Sequence, residues 1–196
     1  MWPMPSDLVV KAGAELAAAL ATGVAVKLMD DALDDSTPAT TGNIAYALLF
    51  LSLGAVFQPA WAATLFLASY AAGMAFSGHP ILPSRLPAWL ESVLAVGVGL
   101  AYAGAAEMIA ALAAIVLVQA VDHWVDRDLD RARGRVDNWV LQLGVWPAAL
   151  LALTAFSAGV LCSPWKLGAV AVAAALVSRW APDQAQIPGE EEIRWC

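Results

Sequence analysis

Charge is what this sequence has least of. Charged side chains make up 14% of its 196 residues, against 61% hydrophobic ones. A water-soluble domain of this length covers itself with far more charge. The scarcity therefore argues against an ordinary soluble globule and for a membrane class, and the mean hydropathy of +0.69 agrees. Positive charge is scarcer still: 10 Lys and Arg stand against 17 Asp and Glu, for a net charge of −7. No basic stripe is broad enough to follow a phosphate backbone, so nucleic acid is not an expected partner. The two cysteines, Cys162 and Cys196, have no metal-ligand spacing. No positively charged stretch precedes the first apolar run, which itself contains Lys11 and Glu15. That run is expected to be a retained helix, not a cleaved leader.

What is present is a succession of apolar segments with short polar or Pro/Gly punctuation: Leu8–Met29, Asn43–Phe57, Ala60–Phe76, Leu86–Ala103, Ala105–Val121, Trp139–Leu161 and Pro164–Trp180. They predict an all-α, polytopic transmembrane bundle over residues 1–180 with about seven spans, followed by a polar tail over 181–196. Asn43–Phe57 and Ala60–Phe76 fall short of the roughly 20 residues a span usually needs. We read them as a tight hairpin turning at Gln58-Pro59. Asn43 and Asn138 are placed to cap the helices that follow them. Trp61 and Trp165 near one set of span ends, and Trp89, Trp124, Trp139 and Trp180 near the other, occupy aromatic-belt positions. Trp146 does not, and is expected to face the bundle.

With that span count, the loops Asp30–Gly42, Ser77–Arg85 and Asp122–Asn138 share one side with the C-terminal tail. Arg85, Arg127, Arg131, Arg133, Arg135, Arg179 and Arg194 lie there, whereas the opposite loops offer little beyond Lys166. The positive-inside rule puts the arginine-rich side in the cytoplasm and the N-terminus outside. Glu107 belongs near the opposite interface.

Two aspartate-rich clusters fall on that predicted cytoplasmic side. The first, Asp30-Asp31-Ala32-Leu33-Asp34-Asp35, contains a DDxxD; on a continuing helix Asp30, Asp31 and Asp34 share one face, with Lys27 one turn earlier. In the second, Asp122, Asp126 and Asp130 recur at every fourth position. Like charges so spaced destabilise a bare helix, and a divalent cation is the economical compensation. Oxygen ligands select Mg²⁺, with Mn²⁺ possible by the same chemistry. Magnesium typically uses one or two carboxylates together with substrate phosphates, so two facing clusters suit a metal-bridged diphosphate. Lys27, Arg85, Arg127 and Arg131 are candidate diphosphate ligands. Apolar helices would surround a hydrocarbon tail, and aromatic faces there can stabilise a carbocation. One acidic run at a helix end is ordinarily a solvated interface; two on one side, each with helical spacing and neighbouring cations, point to a site. His123, beside Trp124, and His79, before Pro80, read more naturally as packed or solvated side chains than as ligands.

In these motifs the chain resembles the UbiA-type intramembrane prenyltransferases. The order is similar: an aspartate-rich motif, two spans, a basic proline-containing loop (Gly78-His79-Pro80 to Ser84-Arg85-Leu86-Pro87), two more spans, and a second motif. Asp122-His123-Trp124-Val125-Asp126-Arg127-Asp128-Leu129-Asp130 looks like the family's NDxxDRxxD signature, although it stands at the second site here. Asp30 stands where the family often has Asn, Pro38 replaces the last carboxylate of the first motif, and Ile81 takes the place of the loop's usual Tyr. The family's bundle usually carries a further helix at each end. The resemblance implies a Mg²⁺-dependent membrane enzyme that ionises a polyprenyl diphosphate and transfers the prenyl group to a small apolar or aromatic acceptor. It implies Asp30, Asp31, Asp34, Asp122 and Asp126 as catalytic metal ligands, with Asp130 a further one.

Other functions share some of these features. A terpene cyclase on the same scaffold would use the same residues without an acceptor, and a shortened member could bind a prenyl lipid without turning it over. A CDP-alcohol phosphotransferase would need a glycine and a spacing that Asp122–Arg133 lacks. A cation transporter would place its acids at bilayer depth along a path, whereas these lie at span ends.

Overall fold

In the computed structural model, which describes residues 5–33, 41–75, 86–134 and 138–180, every apolar run is helical. The helices are α1 (Pro5–Leu33), α2 (Thr41–Phe57), α3 (Pro59–Ala75), α4 (Ala88–Ala103), α5 (Ala105–Val125), α6 (Arg127–Arg133), α7 (Trp139–Leu143), α8 (Val145–Cys162) and α9 (Pro164–Trp180). Three are long and apolar enough to cross a membrane: Ser6–Asp30 within α1, Ala105–Val125 and Val145–Cys162. Asn43–Phe57 and Ala88–Ala103 are shorter apolar helices. The tail 181–196 lies outside the described residues.

The connections follow from residue type. Pro59, whose missing N–H costs nothing at a first helical position, opens α3 with only Gln58 between it and the end of α2. The chain reverses there as expected. A methyl group on Gly54 of α2 would stand 3.0 Å from Thr22 Oγ1 and 3.3 Å from the Ala18 carbonyl oxygen of α1, and also 3.3 Å from Ala62 just beyond the turn. Gly104 (φ 86°) and Gly144 (φ 88°) make two further sharp joints, in a region of backbone space that side chains with a Cβ rarely enter. The Gly144 joint corrects the sequence reading: the single span over Trp139–Leu161 is a short α7 followed by a separate α8. Asn138 caps α7, its Oδ1 accepting from Val140 N at 2.9 Å and Leu141 N at 3.2 Å. Asn43 does not cap α2, which already begins at Thr41.

Packing is built on small residues, as expected where lipid removes the hydrophobic drive between helices and close van der Waals contact must hold them. α1 packs on α2 and α9, α3 on α4 and α5, and α5 on α8 and α9. The shared core joins Ala18 and Ala19 of α1, Trp61, Leu65 and Ala68 of α3, Met108, Ala111 and Ala114 of α5, and Val170 and Ala173 of α9. Large apolar side chains instead point outward, among them Val10, Val56, Leu150 and Leu161. That inversion of the soluble pattern suits a lipid surround.

The tryptophans divide differently from the sequence expectation. Trp89, Trp124 and Trp165 are exposed, as belt residues should be. Trp61 and Trp139 are buried, and Trp146 is 81% exposed and does not face the bundle.

Candidate functional site

Four helices, α1, α3, α5 and α9, form a ring in which each touches the next, yet no Cα of α1 lies within 8 Å of one of α5. The space between is a cavity of about 340 Å³. Each helix lines it with its C-terminal half: Ala19 to Asp30, Leu65 to Met74, Ile115 to Asp122, and Val170 to Ser178. The four C-termini therefore gather at one end. Lys27, Asp30 and Asp122 line the cavity there, and Phe66, Val118 and Val170 are among its apolar walls. At the opposite end of the same helices Lys166 makes an ion pair with Glu107, and its Nζ lies 4.7 Å from the centre of the Trp61 ring.

The electrostatics of the mouth follow from this geometry. Each helix C-terminus carries about half a negative charge, and Asp30 and Asp122 add carboxylates where the dipoles are already negative. Asp126, His123, Asp130 and Lys27 are all within electrostatic reach of Asp122. Gln119, one turn before Asp122 and also lining the cavity, has a buried Oε1 with no hydrogen-bond partner among the described residues. Carboxylates on two facing helices and an unpaired amide oxygen are the donor set of a hard cation. They fit magnesium completed by ligand oxygens better than a self-contained cage. Among the described residues no three His, Cys, Asp or Glu converge into one cluster.

The second acidic motif is not a straight stripe. α5 runs on past Val121 to Val125; Asp126 (φ −87°, ψ 0°) then bends the chain into α6. The bend turns Asp130 away from the cavity into a buried position, where its Oδ2 accepts from Asn138 Nδ2 at 2.8 Å. The same Nδ2 reaches the His123 carbonyl at 2.9 Å. His123 packs edge-on to Trp139, 5.3 Å between centroids, and its Nδ1 accepts from the Trp139 N–H at 3.2 Å. This is the packed role expected of it.

Of the residues singled out from sequence, the structure thus brings Lys27, Asp30 and Asp122 to one cavity. Asp126 sits at the adjoining bend. Arg127 and Arg131 do not line the cavity. Arg127 Nε donates to Asp128 Oδ1 at 3.0 Å, and this contact holds the exposed Asp128 carboxyl below its usual range. Asp31 lies in the last turns of α1 but its side chain is outside the described residues, as are Asp34 and Arg85 and the loop with His79. Sequence reasoning passed over Gln119, Tyr70 and Glu91. The signal for Glu91 was available: it is the only charged residue in the apolar run Leu86–Ala103.

Comparison with protein-family models, with curated proteins and with solved structures finds no match to this chain.

Proposed function

We propose that the chain is a Mg²⁺-dependent membrane enzyme that binds a prenyl diphosphate at the Asp30/Asp122 mouth and transfers its prenyl group to a lipophilic acceptor. The observation that carries this reading is the joining of both acidic motifs, through Asp30 and Asp122, to one apolar cavity. An anionic head and a hydrocarbon tail are the two halves of the ligand such a cavity suits. In this reading α1, α2, α3, α4, α5, α8 and α9 are the seven spans of a UbiA-like bundle. The mouth and the tail 181–196 face the cytoplasm, with the N-terminus outside.

Asp30 and Asp122 hold the divalent ion, joined by Asp31, Asp34 and Asp126 as the resemblance to UbiA-type enzymes implies. The ion, when bound, supplies positive charge against the departing diphosphate. Lys27 donates hydrogen bonds to phosphate oxygens. The walls around Phe66 and Val118 exclude water from the prenyl chain, and the Phe66 ring offers a face to developing positive charge. Asp130, held by Asn138, positions the bend rather than the ion.

The test is pyrophosphate release by the purified, lipid-reconstituted protein with Mg²⁺ and a panel of prenyl diphosphates, with and without aromatic or apolar acceptors. Release that depends on Mg²⁺ and yields a prenylated acceptor is expected. Release with a hydrocarbon product and no need for an acceptor would make it a cyclase. Metal-dependent diphosphate binding without release would make it a prenyl-lipid binder. Neither binding nor release across the panel would end the proposal.

A further inference from the structure

Glu91 lies in the first turn of α4, only 8% exposed, in a bundle whose surroundings are apolar. A carboxyl group there is costly unless it is hydrogen-bonded. Its Oε2 accepts from the Tyr70 hydroxyl on α3. Tyr70 in turn belongs to the wall of the α1/α3/α5/α9 cavity, one turn before Gly73 and Met74 near the mouth, whereas Glu91 is not part of that wall. A single side chain therefore connects the cavity to a carboxyl group buried behind it. A phenol oxygen that donates its own hydrogen can still accept another.

We propose that Tyr70 and Glu91 form a proton relay that receives the proton the acceptor gives up on prenylation. The proposal rests on the transfer reading above. In that reaction the prenyl C–O bond breaks and its electron pair leaves with the diphosphate. A π pair of an aromatic acceptor, or a lone pair of a hydroxyl acceptor, forms the new bond to the prenyl carbon. The acceptor then loses a proton and keeps the bonding pair. Tyr70 Oη takes this proton while its own passes to Glu91 Oε2. Tyr70 ends neutral and Glu91 ends as the acid, so the charges balance. The acceptor class that needs such a relay carries a removable proton at the site of attachment, as a phenol, an aromatic ring or an alcohol does.

Two variants test this in the reconstituted full chain. Tyr70→Phe keeps the ring in the wall and removes the hydroxyl; Glu91→Gln keeps an acceptor oxygen for Tyr70 but takes up no proton. Prenylated product, pyrophosphate, prenyl alcohol and Mg²⁺-dependent prenyl diphosphate binding are measured side by side. Both variants should bind the diphosphate as the unaltered protein does, while product per pyrophosphate released falls roughly a hundredfold and prenyl alcohol from water capture takes its place. An unchanged ratio in both variants overturns the relay and leaves the transfer reading standing. If Tyr70→Phe loses binding, the near-isosteric Glu91→Gln decides alone, an unchanged ratio again sinking the relay. Failure of the unaltered protein to release pyrophosphate overturns both together.

Discussion

Asp130 and Asn138, eight positions apart in sequence, are joined by a 2.8 Å hydrogen bond in a buried position. Asn138 also donates to the His123 carbonyl and accepts from the Val140 and Leu141 N–H groups of α7. One amide thus fixes how the end of α5, the short α6 and the start of α7 meet, directly beside Asp122 and Asp126.

Asn138→Ala removes the α7 cap and takes one hydrogen bond from the buried Asp130 carboxylate. A lost cap costs about 1 kcal/mol and a lost hydrogen bond about 0.5–1.5 kcal/mol. The expected outcome is a fall in thermal midpoint for the detergent-solubilised protein, with Asn138→Asp also destabilised because two carboxylates would then meet. A midpoint unchanged in both variants would contradict the arrangement.

Asp130 and Asp122 should separate in function although they belong to one motif. Asp30→Asn and Asp122→Asn are expected to lower Mg²⁺-dependent pyrophosphate release by roughly a hundredfold or more, and chelation of the metal should do the same to the unaltered protein. Asp130→Asn should lower thermal stability and retain metal-dependent diphosphate binding, because its carboxylate does not line the cavity. Equal loss of binding in Asp130→Asn and Asp122→Asn would restore Asp130 as a ligand.

α4 and α5 cross where Gly99 leaves room for Met108. A methyl group at Gly99 would stand 2.3 Å from the Met108 sulfur, and Met108 is fully buried. Gly99→Ala should destabilise by about 1–3 kcal/mol through overpacking. Combined with Met108→Ala it should cost less than the two single changes added together, since the methyl then enters vacated space. Strict additivity in chemical or thermal unfolding would show that the two residues do not meet.

The helices were legible because apolar runs and Pro/Gly punctuation are local signals; Gln58-Pro59 and Gly104 mark true joints. The joint at Gly144 was passed over although Gln142 and Pro147 flank it, because apolar residues continue on both sides and only the backbone reveals its positive φ. The two acidic motifs could be seen in the sequence, and so could their tendency to lie on one side. Which of their carboxylates face a shared space could not. Helical spacing alone stacks Asp122, Asp126 and Asp130, whereas the bend at Asp126 and the hydrogen bond from a later Asn138 turn Asp130 inward. The burial of Trp61 was equally hidden, since a Trp near a span end looks the same whether it faces lipid or the Lys166 ammonium.

That ammonium sets the last prediction. Lys166 and Glu107 pair at the end of the bundle opposite the aspartates, with side chains 13% and 24% exposed, and Lys166 also lies over the buried Trp61 ring. Lys166→Met preserves much of the apolar stem but strips Glu107 of its partner and Trp61 of its cation. Partial exposure softens the penalty below that of a fully buried pair, and the expected cost is about 2 kcal/mol. Glu107→Gln alone should cost less, because an amide can still accept from Lys166. The double variant Lys166→Met with Glu107→Gln should recover most of the stability lost in Lys166→Met, since no unpaired charge then remains. Thermal unfolding of the three proteins in detergent decides it: a double variant that is the sum of the singles would mean that Glu107 and Lys166 act independently. All three should retain Mg²⁺-dependent diphosphate binding, because the pair stands at the far end of the helices from Asp30 and Asp122.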